Sequence, residues 1–193
     1  MSMLAGGLTR ELNVKKGDRS AMHVIMMPQA VIAMLVCARA GAIHSVAFGG
    51  FASKELASRI DDCKPKVILH AACGIEAGGR IVEHNPLLDD ALKICTHEGE
   101  KCVTYQWKNT ISSSSLELNI KRDIDYDELL NKSISHDVIP MKSTDMHYIL
   151  HTSGATGKPK GVVRDIGGYA TALKWSMSHF YNTKPNDTFW AVF

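Results

Sequence analysis

Apolar strands that alternate with amphipathic helices constrain the fold of this chain more than any other feature of its sequence. The run from Ala42 to Phe48 is nearly all apolar, which is typical of a parallel strand buried on both faces. Before it, Pro28 suits the first turn of a helix, and apolar side chains recur with helical spacing until Gly41. Since strands that alternate with helices build parallel sheets covered by those helices, the sequence predicts an α/β fold with a largely parallel sheet.

The same alternation continues along the chain. We predict further strands at residues 20–26, 67–70 and 101–107, and further helices at 54–63, with Ser53 as its N-cap, and at 87–95. The glycine-rich segment 71–86 is predicted to be a loop. Residues 108–140 are polar and serine-rich, with one short helical patch near 126–131, and are interpreted as a surface excursion.

The C-terminal part is predicted to return to the sheet. Its elements are a buried strand at 146–152, a short strand at 161–164, an amphipathic helix at 168–181 and the start of a strand at 188–193. We expect that last strand to leave an unpaired sheet edge.

A loop rich in glycine and hydroxyl groups, with two lysines, follows the predicted strand at 146–152. Its glycines let the backbone turn so that successive N–H groups point into one concavity, its hydroxyls add donors, and its lysines supply charge for phosphate oxygens. This composition predicts a triphosphate-binding loop. The predicted phosphate-binding residues are Thr152, Ser153, Gly154, Ala155, Thr156, Gly157, Lys158, Lys160 and Gly161.

This loop differs from two commoner nucleotide-binding motifs. The GxxxxGK[ST] loop needs a serine or threonine after its lysine, whereas Lys158 is followed by Pro159. A GxGxxG fingerprint is also absent from the sequence. The alternative that the residues alone leave open is a solvated loop without a ligand.

Two patterns that suggest metal ligands have simpler interpretations. Aspartates alternate over residues 123–127 as in a calcium loop, but Glu128 stands where that loop needs glycine and Ile134 where it needs glutamate. We interpret the pattern as a solvated acidic turn. His147 and His151 share one face of a predicted strand without a third ligand nearby, so we expect packed or loop-lining histidines. No metal ligand is predicted.

Composition narrows the class of protein and its compartment. A chain of 193 residues, 45% hydrophobic and 22% charged, has the size and composition of an ordinary globular domain, and a net charge of +2 gives no reason to expect nucleic acid or a membrane as partner. Five cysteines without a CxxC pair favour reduced, buried thiols in a cytosolic or organellar matrix protein. Residues 1–7 have no signal-peptide or transit character, so we expect any targeting segment to lie outside this chain.

The order of residues in the predicted phosphate loop resembles the signature TSG[ST]TGxPKG of the adenylate-forming enzymes. That superfamily comprises acyl-CoA synthetases, firefly luciferase and the adenylation domains of peptide synthetases. Other runs are similar to its short-chain acyl-CoA synthetases, in the propionate-CoA ligase and acetate-CoA ligase branch that includes mitochondrial animal members. These runs are 14–18, 34–45, 48–60, 74–78, 135–137, 160–169 and 173–177.

The resemblance implies that residues 1–193 are a partial N-terminal AMP-binding domain, without the C-terminal domain. It implies a two-step reaction, in which propionate or acetate reacts with ATP and Mg²⁺ to give acyl-AMP and pyrophosphate, and coenzyme A then displaces AMP. Lys160 would be the catalytic residue of the loop. The short-chain carboxylate, ATP and coenzyme A would be the small-molecule partners, and the mitochondrial matrix, or otherwise the cytosol, the location.

The resemblance also implies a contact with the nucleotide part of coenzyme A. The residues implied are Glu76, Ala77, Gly78, Gly79 and Arg80, with Gly49, Gly50 and Phe51 nearby. Glycines allow close approach, an arginine can pair with a phosphate, and a phenylalanine offers a face to an adenine. A surface glycine turn with an unrelated arginine is the alternative.

The chain departs from the family pattern in several places. Gly79 stands where the family has arginine, His151 where it has tyrosine, and Ala155 where it has threonine or serine. The family's adenine, ribose and acyl sites are not among the residues present, so we expect the chain alone to form no acyl-AMP and to bind ATP weakly. Two other functions remain open, namely a nucleotide-hydrolysing enzyme and a non-catalytic fragment that binds nucleotide weakly or only a protein partner.

Overall fold

A computed structural model describes residues 1–75, 78–97, 101–107, 118–152 and 159–190 of the chain. The strands are β1 Arg19–Val24, β2 Ile43–Phe48, β3 Val67–Ala71, β4 Cys73–Ile75, β5 Ile81–Glu83, β6 Lys101–Tyr105, β7 Asp123–Asp125, β8 Met146–Thr152 and β9 Lys160–Asp165. The helices are α1 Ser2–Gly6, continued by a π-helical turn at Gly7–Glu11, α2 Pro28–Ala40, α3 Ser53–Cys63, α4 Asn85–Ile94, α5 Tyr126–Lys132 and α6 Ile166–His179.

Seven of these strands form one sheet in the order β7-β6-β3-β1-β2-β8-β9. Every neighbouring pair in it is parallel except β8 and β9, which are antiparallel. The prediction of a largely parallel sheet flanked by helices is therefore confirmed. Because β2 lies on one side of β1 and β3 on the other, right-handed crossovers put α2 and α3 on opposite faces of the sheet.

The side chains of the central strands alternate between two cores, one on each face of the sheet. On one face, Met22 and Leu69 pack with Val36 of α2. On the other face, Ile68 packs with Ile60 of α3. Successive side chains of a strand point to opposite faces, so an apolar run such as β3 supplies both cores at once.

The end of α2 agrees with its local sequence signal, whereas the start of α3 does not. Gly41 follows α2 with a φ of 67° and bonds back to Ala38, as expected for a glycine that ends a helix. The prediction that Ser53 caps the next helix is wrong. Ser53 is the first helical residue, and the preceding Ala52 holds the cap position without a side-chain hydrogen bond.

The segment 71–86 is not the loop that its glycines suggested. It contains an antiparallel hairpin of β4 and β5, with Cys73 opposite Glu83 and Ile75 opposite Ile81. The glycines occupy its turn and an inward-facing strand position, which explains why composition alone indicated a loop.

Part of the predicted surface excursion at 108–140 belongs to the sheet and its core. Residues 108–117 lie outside the described residues, but β7 pairs with β6 and so forms one edge of the sheet. In α5, Tyr126 and Leu129 are buried in the core on the α2 face. The solvated acidic turn is also wrong, because Asp123 is buried and bonds the Arg122 guanidinium through both carboxylate oxygens.

The opposite edge of the sheet is more exposed than predicted. Strand β8 has the predicted bounds but is only partly buried, because α6 covers little of it and buries none of its own side chains. The described part of the predicted last strand, residues 188–190, is irregular, and 191–193 lie outside the described residues. Within the described ranges, no helix is long and apolar enough to cross a membrane.

Candidate functional site

The predicted phosphate loop joins the two strands of the β8–β9 hairpin. Thr152 at the end of β8 pairs with Lys160 at the start of β9, so the two ends of the loop lie side by side. Both residues are exposed. The loop residues Ser153, Gly154, Ala155, Thr156, Gly157 and Lys158 lie outside the described residues. A cross-strand pair brings its Cβ atoms to within about 5.5 Å, so the side chains of Thr152 and Lys160 leave the hairpin from neighbouring positions.

The hairpin opens at the sheet edge where α/β proteins commonly bind ligands. Strand β8 runs parallel to β2, with Tyr148 beside His44 and Ile149 beside Ser45. The carboxyl ends of β1, β2, β3 and β8 therefore meet at one edge. Ligands of such sheets bind outside these ends, near the point where the strand order reverses, which here is at β1.

The stem of the hairpin is tied to its neighbours through His151. Its Nε2 lies 2.9 Å from Oδ2 of Asp62 on α3, and its Nδ1 lies 3.3 Å from Oγ of Ser45 on β2. The His151 side chain is only 3% exposed, whereas that of Asp62 is 53% exposed. The ring therefore links β8 to β2 and to α3, at a position directly before the loop.

Gly161 lies opposite His151 in the hairpin and close to two neighbouring side chains. A Cβ atom there would lie 2.8 Å from Asp62 Oδ2 and 2.9 Å from Ile149 Cγ2. Both distances are shorter than real Cβ contacts allow. A side chain at this position would therefore have to displace Ile149 or the Asp62 carboxylate that His151 bonds.

The predicted coenzyme segment forms the turn of the β4–β5 hairpin. Gly78 and Gly79 have φ angles of 87° and 81°, which favour glycine, and no atom of the described residues would lie within 4 Å of a Cβ atom on either one. Arg80 is exposed beside them. Glu76 and Ala77 lie outside the described residues. The described part of this turn is open enough for a large ligand to approach its backbone.

The turn after β2 lies against this hairpin through His84. A Cβ on Gly49 would lie 2.9 Å from His84 Cε1, and a Cβ on Gly74 would lie 3.2 Å from the same atom. Gly49 itself is buried and Gly50 is exposed. The fold therefore packs the turn at 49–51 against the base of the hairpin whose turn contains 78–80, the two stretches that the sequence analysis had assigned to one ligand.

The ring of Phe51 is already in contact with a cation. The guanidinium carbon of Arg59 lies 4.2 Å from the centre of the ring. Such a contact occupies one face of the ring, so an adenine stacking there would use the other face or displace Arg59.

A buried histidine cluster, formed by His23, His70 and His84, lies beneath these turns, and the sequence analysis did not identify it. His23 Nε2 lies 3.1 Å from the Gly49 carbonyl oxygen, and the Nδ1 atoms of His23 and His70 are 3.2 Å apart. Since a carbonyl only accepts, the neutral His23 ring donates its Nε2–H to Gly49. A histidine near the carboxyl end of each of two neighbouring strands, β1 and β3, was the signal available in the sequence.

Burial keeps this cluster neutral. It lowers the pKa of His23 to about 3, helped by the neighbouring His70 and His84, and lowers the pKa of His70 to about 3. The pKa of His84 is also lowered by burial. At neutral pH the cluster therefore supports the Gly49 turn by hydrogen bonding rather than by charge.

A second histidine pair is formed by His44 of β2 and His147 of β8. His147 packs among the rings of His44, Tyr148 and Tyr169, and its buried Nδ1 has no hydrogen-bond partner in the part of the chain that the structure describes. Burial lowers the pKa of His147 and lowers that of His44 to about 4. Among the described residues, no group of three histidine, cysteine or acidic side chains could hold a metal ion.

The cysteines have the environment that the sequence predicted. All five are free, and four of them are buried. Burial raises the pKa of Cys37, Cys63 and Cys102 to about 12, so these thiols stay protonated at neutral pH and are poor nucleophiles.

Comparison with known sequences identifies the family. Residues 1–193 match the family described as "AMP-binding enzyme" over their full length. The chain belongs to the AMP-binding enzyme family. This assignment confirms the resemblance stated from the phosphate loop.

Relatives and a solved structure agree with the assignment to AMP-binding enzymes. The chain is 50% identical over 192 residues to "Acyl-CoA synthetase short-chain family member 3, mitochondrial" of Rattus norvegicus, covering 100% of this chain and 27% of the relative. It is 40% identical over 187 residues to "Propionate--CoA ligase" of Escherichia coli, covering 96% of this chain and 29% of the relative. "Acetoacetyl-CoA Synthetase from Streptomyces lividans" has the same fold, with a TM-score of 0.79 at 19% identity over 97% of this chain and 28% of the other. The chain thus spans less than a third of the length of these AMP-binding enzymes.

Proposed function

We propose that this chain is the phosphate-binding part of a short-chain acyl-CoA synthetase that activates propionate or acetate. In the first step a carboxylate oxygen attacks the α-phosphorus of ATP, the bond to the β-phosphate breaks, and pyrophosphate leaves. In the second step the thiol of coenzyme A attacks the acyl carbonyl carbon and AMP leaves. Family membership and the position of Thr152 and Lys160 at the carboxyl edge of the sheet support this proposal.

The loop between β8 and β9 would hold the β- and γ-phosphates. Negative charge grows on the leaving pyrophosphate, so a lysine at the start of β9 stabilises the transition state more than the ground state. Lys160 is the described lysine placed for this role, since it is exposed and pairs with Thr152. Mg²⁺ would neutralise part of the charge of the phosphates, and we assign no residue of this chain as its ligand.

The two glycine turns would contact the nucleotide part of coenzyme A. Gly78 and Gly79 leave their backbone open, and Arg80 provides a cation beside them. The Gly49 turn, supported from below by His23 and His84, lies next to that hairpin. Since Gly79 replaces an arginine of the family pattern, we expect fewer phosphate contacts here than in the family at large.

The location proposed for the protein is the mitochondrial matrix. The support is the name of the rat relative and of "Acyl-CoA synthetase short-chain family member B, mitochondrial" of Dictyostelium discoideum, which is 44% identical over 192 residues. The cysteines are free, as expected of a reducing compartment.

A chimera would test the proposed function. Residues 1–193 replace the matching segment of the rat relative, which supplies the remaining sites, and the two half-reactions are measured separately. We expect Lys160→Ala to slow carboxylate-dependent exchange of pyrophosphate into ATP by about 30-fold or more, corresponding to about 2 to 4 kcal/mol. Thioester formation from supplied acyl-AMP should be nearly unchanged, because pyrophosphate has already left.

The control is Lys174→Ala, which removes an exposed lysine from α6. Equal slowing of both half-reactions by Lys160→Ala would contradict the role of the loop. Phosphate release without a carboxylate would favour a nucleotide-hydrolysing enzyme instead. An inactive but folded chimera would favour the non-catalytic alternative.

A further inference from the structure

We propose that His151 is a positioning residue that fixes the stem of the phosphate loop through Asp62 and Ser45. The inference rests on the proposed phosphate role of the loop. The stem is defined here by its two described cross-strand pairs, Thr152 with Lys160 and His151 with Gly161. Nothing in the local sequence of β8 indicates this role, because Asp62 and Ser45 come from elsewhere in the chain.

The hydrogen bonds of the His151 ring have one arrangement when the ring is neutral. A carboxylate only accepts, so His151 donates its Nε2–H to Asp62 at 2.9 Å. Nδ1 then accepts, and the Ser45 hydroxyl donates to it at 3.3 Å. Both ring nitrogens are used, and each bond reaches a different element, so the ring has little freedom to turn.

These three residues do not form a hydrolytic triad, although serine, histidine and aspartate are its members. Ser45 is buried, at 3% exposure, and lies in the middle of the parallel sheet. A nucleophile needs an accessible oxygen, so a substrate carbonyl cannot reach this hydroxyl. The arrangement therefore acts on the position of β8 rather than on a substrate.

Asp62 couples the two strands of the stem. Its Oδ2 bonds the ring on β8, and the same atom lies 2.8 Å from where a Cβ on Gly161 of β9 would be. Asp62 thus lies beside both strands of the stem, at the His151–Gly161 pair. If Asp62 moves away, β8 loses its tie to α3.

This support matters because the edge of the sheet holds the stem weakly. Among the described residues, β8 pairs with β2 only at His44 and Ser45, before Thr152, and β9 is the last strand of the sheet and pairs with β8 alone. A phosphate site needs donors held in place before the ligand arrives. The His151 contacts supply that constraint at the last strand position before Thr152.

The test uses the chain of residues 1–193 and compares wild type with His151→Phe, Asp62→Asn and His151→Gln. Hydrogen exchange is followed on peptides from β8 and β9. We expect His151→Phe and Asp62→Asn to speed exchange there about twofold to fivefold, the range for a partly exposed contact with a carboxylate, with β1 and β3 unchanged. His151→Gln can keep one bond and should restore part of the protection.

Ligand binding separates positioning from a purely structural role. Inorganic pyrophosphate and AMP are titrated separately at millimolar concentrations. His151→Phe and Asp62→Asn should weaken pyrophosphate binding several-fold. AMP has no β- or γ-phosphate, and its adenine and ribose sites are not among these residues, so the AMP titration should not differ between wild type and the variants. The matched control is Glu55→Gln, since Glu55 is an exposed carboxylate of α3 that pairs with Arg59 at 3.0 Å, away from the stem.

Two results would overturn this inference without contradicting the proposed function. One is unchanged exchange of β8 and β9 in both His151→Phe and Asp62→Asn. The other is faster exchange with unchanged pyrophosphate affinity, while Lys160→Ala still lowers that affinity. If Lys160→Ala has no effect, or wild type binds no pyrophosphate, the proposed phosphate role of the loop is wrong and the inference is refuted with it.

Discussion

Acid should destabilise this chain through the buried histidine cluster. His23 and His70 are 0% and 2% exposed, and burial holds the pKa of each at about 3 in the folded chain. In the unfolded chain a histidine has a pKa of about 6.5. Between these two values the unfolded state binds more protons than the folded state, so the free energy of unfolding falls as the pH is lowered.

The expected size follows from the width of this window. Each pH unit below about 6.5 costs one such histidine about 1.4 kcal/mol, so His23 alone should remove about 2 kcal/mol between pH 7 and pH 5. His23 and His70 share a hydrogen bond, so their contributions are coupled and do not simply add. A loss of this size is a large fraction of the stability of an ordinary domain.

Urea unfolding at pH 7, 6 and 5 would measure this effect in wild type and in His23→Gln. Glutamine can still donate to the Gly49 carbonyl but cannot bind a proton in this range. We therefore expect the loss of stability from pH 7 to pH 5 to be about 2 kcal/mol smaller in the variant. His179→Gln, in an exposed position on α6, controls for the removal of one imidazole.

The comparison uses changes with pH, so a lower starting stability of His23→Gln does not affect it. His44, His84 and His147 are present in both proteins, and their contributions cancel. The same dependence on pH in wild type and His23→Gln would refute the reasoning, because it would mean that His23 does not have to remain neutral in the folded state.

Two further predictions concern single side chains. In the chimera, Ala155→Thr restores a hydroxyl of the family pattern. A hydrogen bond from it to a phosphate oxygen should contribute about 1.5 to 3 kcal/mol, seen as tighter ATP binding or faster adenylation. No change in either quantity would mean that this side chain points away from the nucleotide. In the chain itself, Asp125→Ala removes the carboxylate that accepts from the Asp127 and Glu128 amides at the start of α5. This change should lower the free energy of unfolding, measured by urea denaturation, by at least about 1 kcal/mol. Asp137→Ala, which removes an exposed carboxylate, should not. Equal stability of the two variants would show that the cap is not needed.

Periodicity and local signals were enough to predict the parallel sheet. An all-apolar run such as β2 can be buried on both faces only with a layer of helices on each side, and the helical patterns before and after it supply those layers. The bounds of β8 were also predicted, because an apolar run there breaks sharply into glycine and hydroxyl residues. The order of residues in the loop identified the superfamily, which family membership confirms.

Signals that depend on distant partners were misinterpreted. Asp123 looked like a solvated residue because aspartate usually is one, but its buried carboxylate is balanced by the Arg122 guanidinium. The β4–β5 hairpin was missed because its strands are short and glycine lies within one of them. The histidine cluster was missed because His23 and His70 are 47 residues apart in sequence and meet only through strand pairing.

The sequence by itself determined the strand-helix alternation and the family, and it carries the prediction of a phosphate loop, because these depend on short-range periodicity and on the order of adjacent residues. The tertiary structure decided which residues meet at the carboxyl edge of the sheet. Strand order places β1 between β2 and β3, which brings His23 under Gly49. The fold also brings His84 against Gly49 and Gly74, and Asp62 to His151. None of these contacts has a local signal, because each joins residues far apart in the sequence whose polar groups find their partners only in the folded chain.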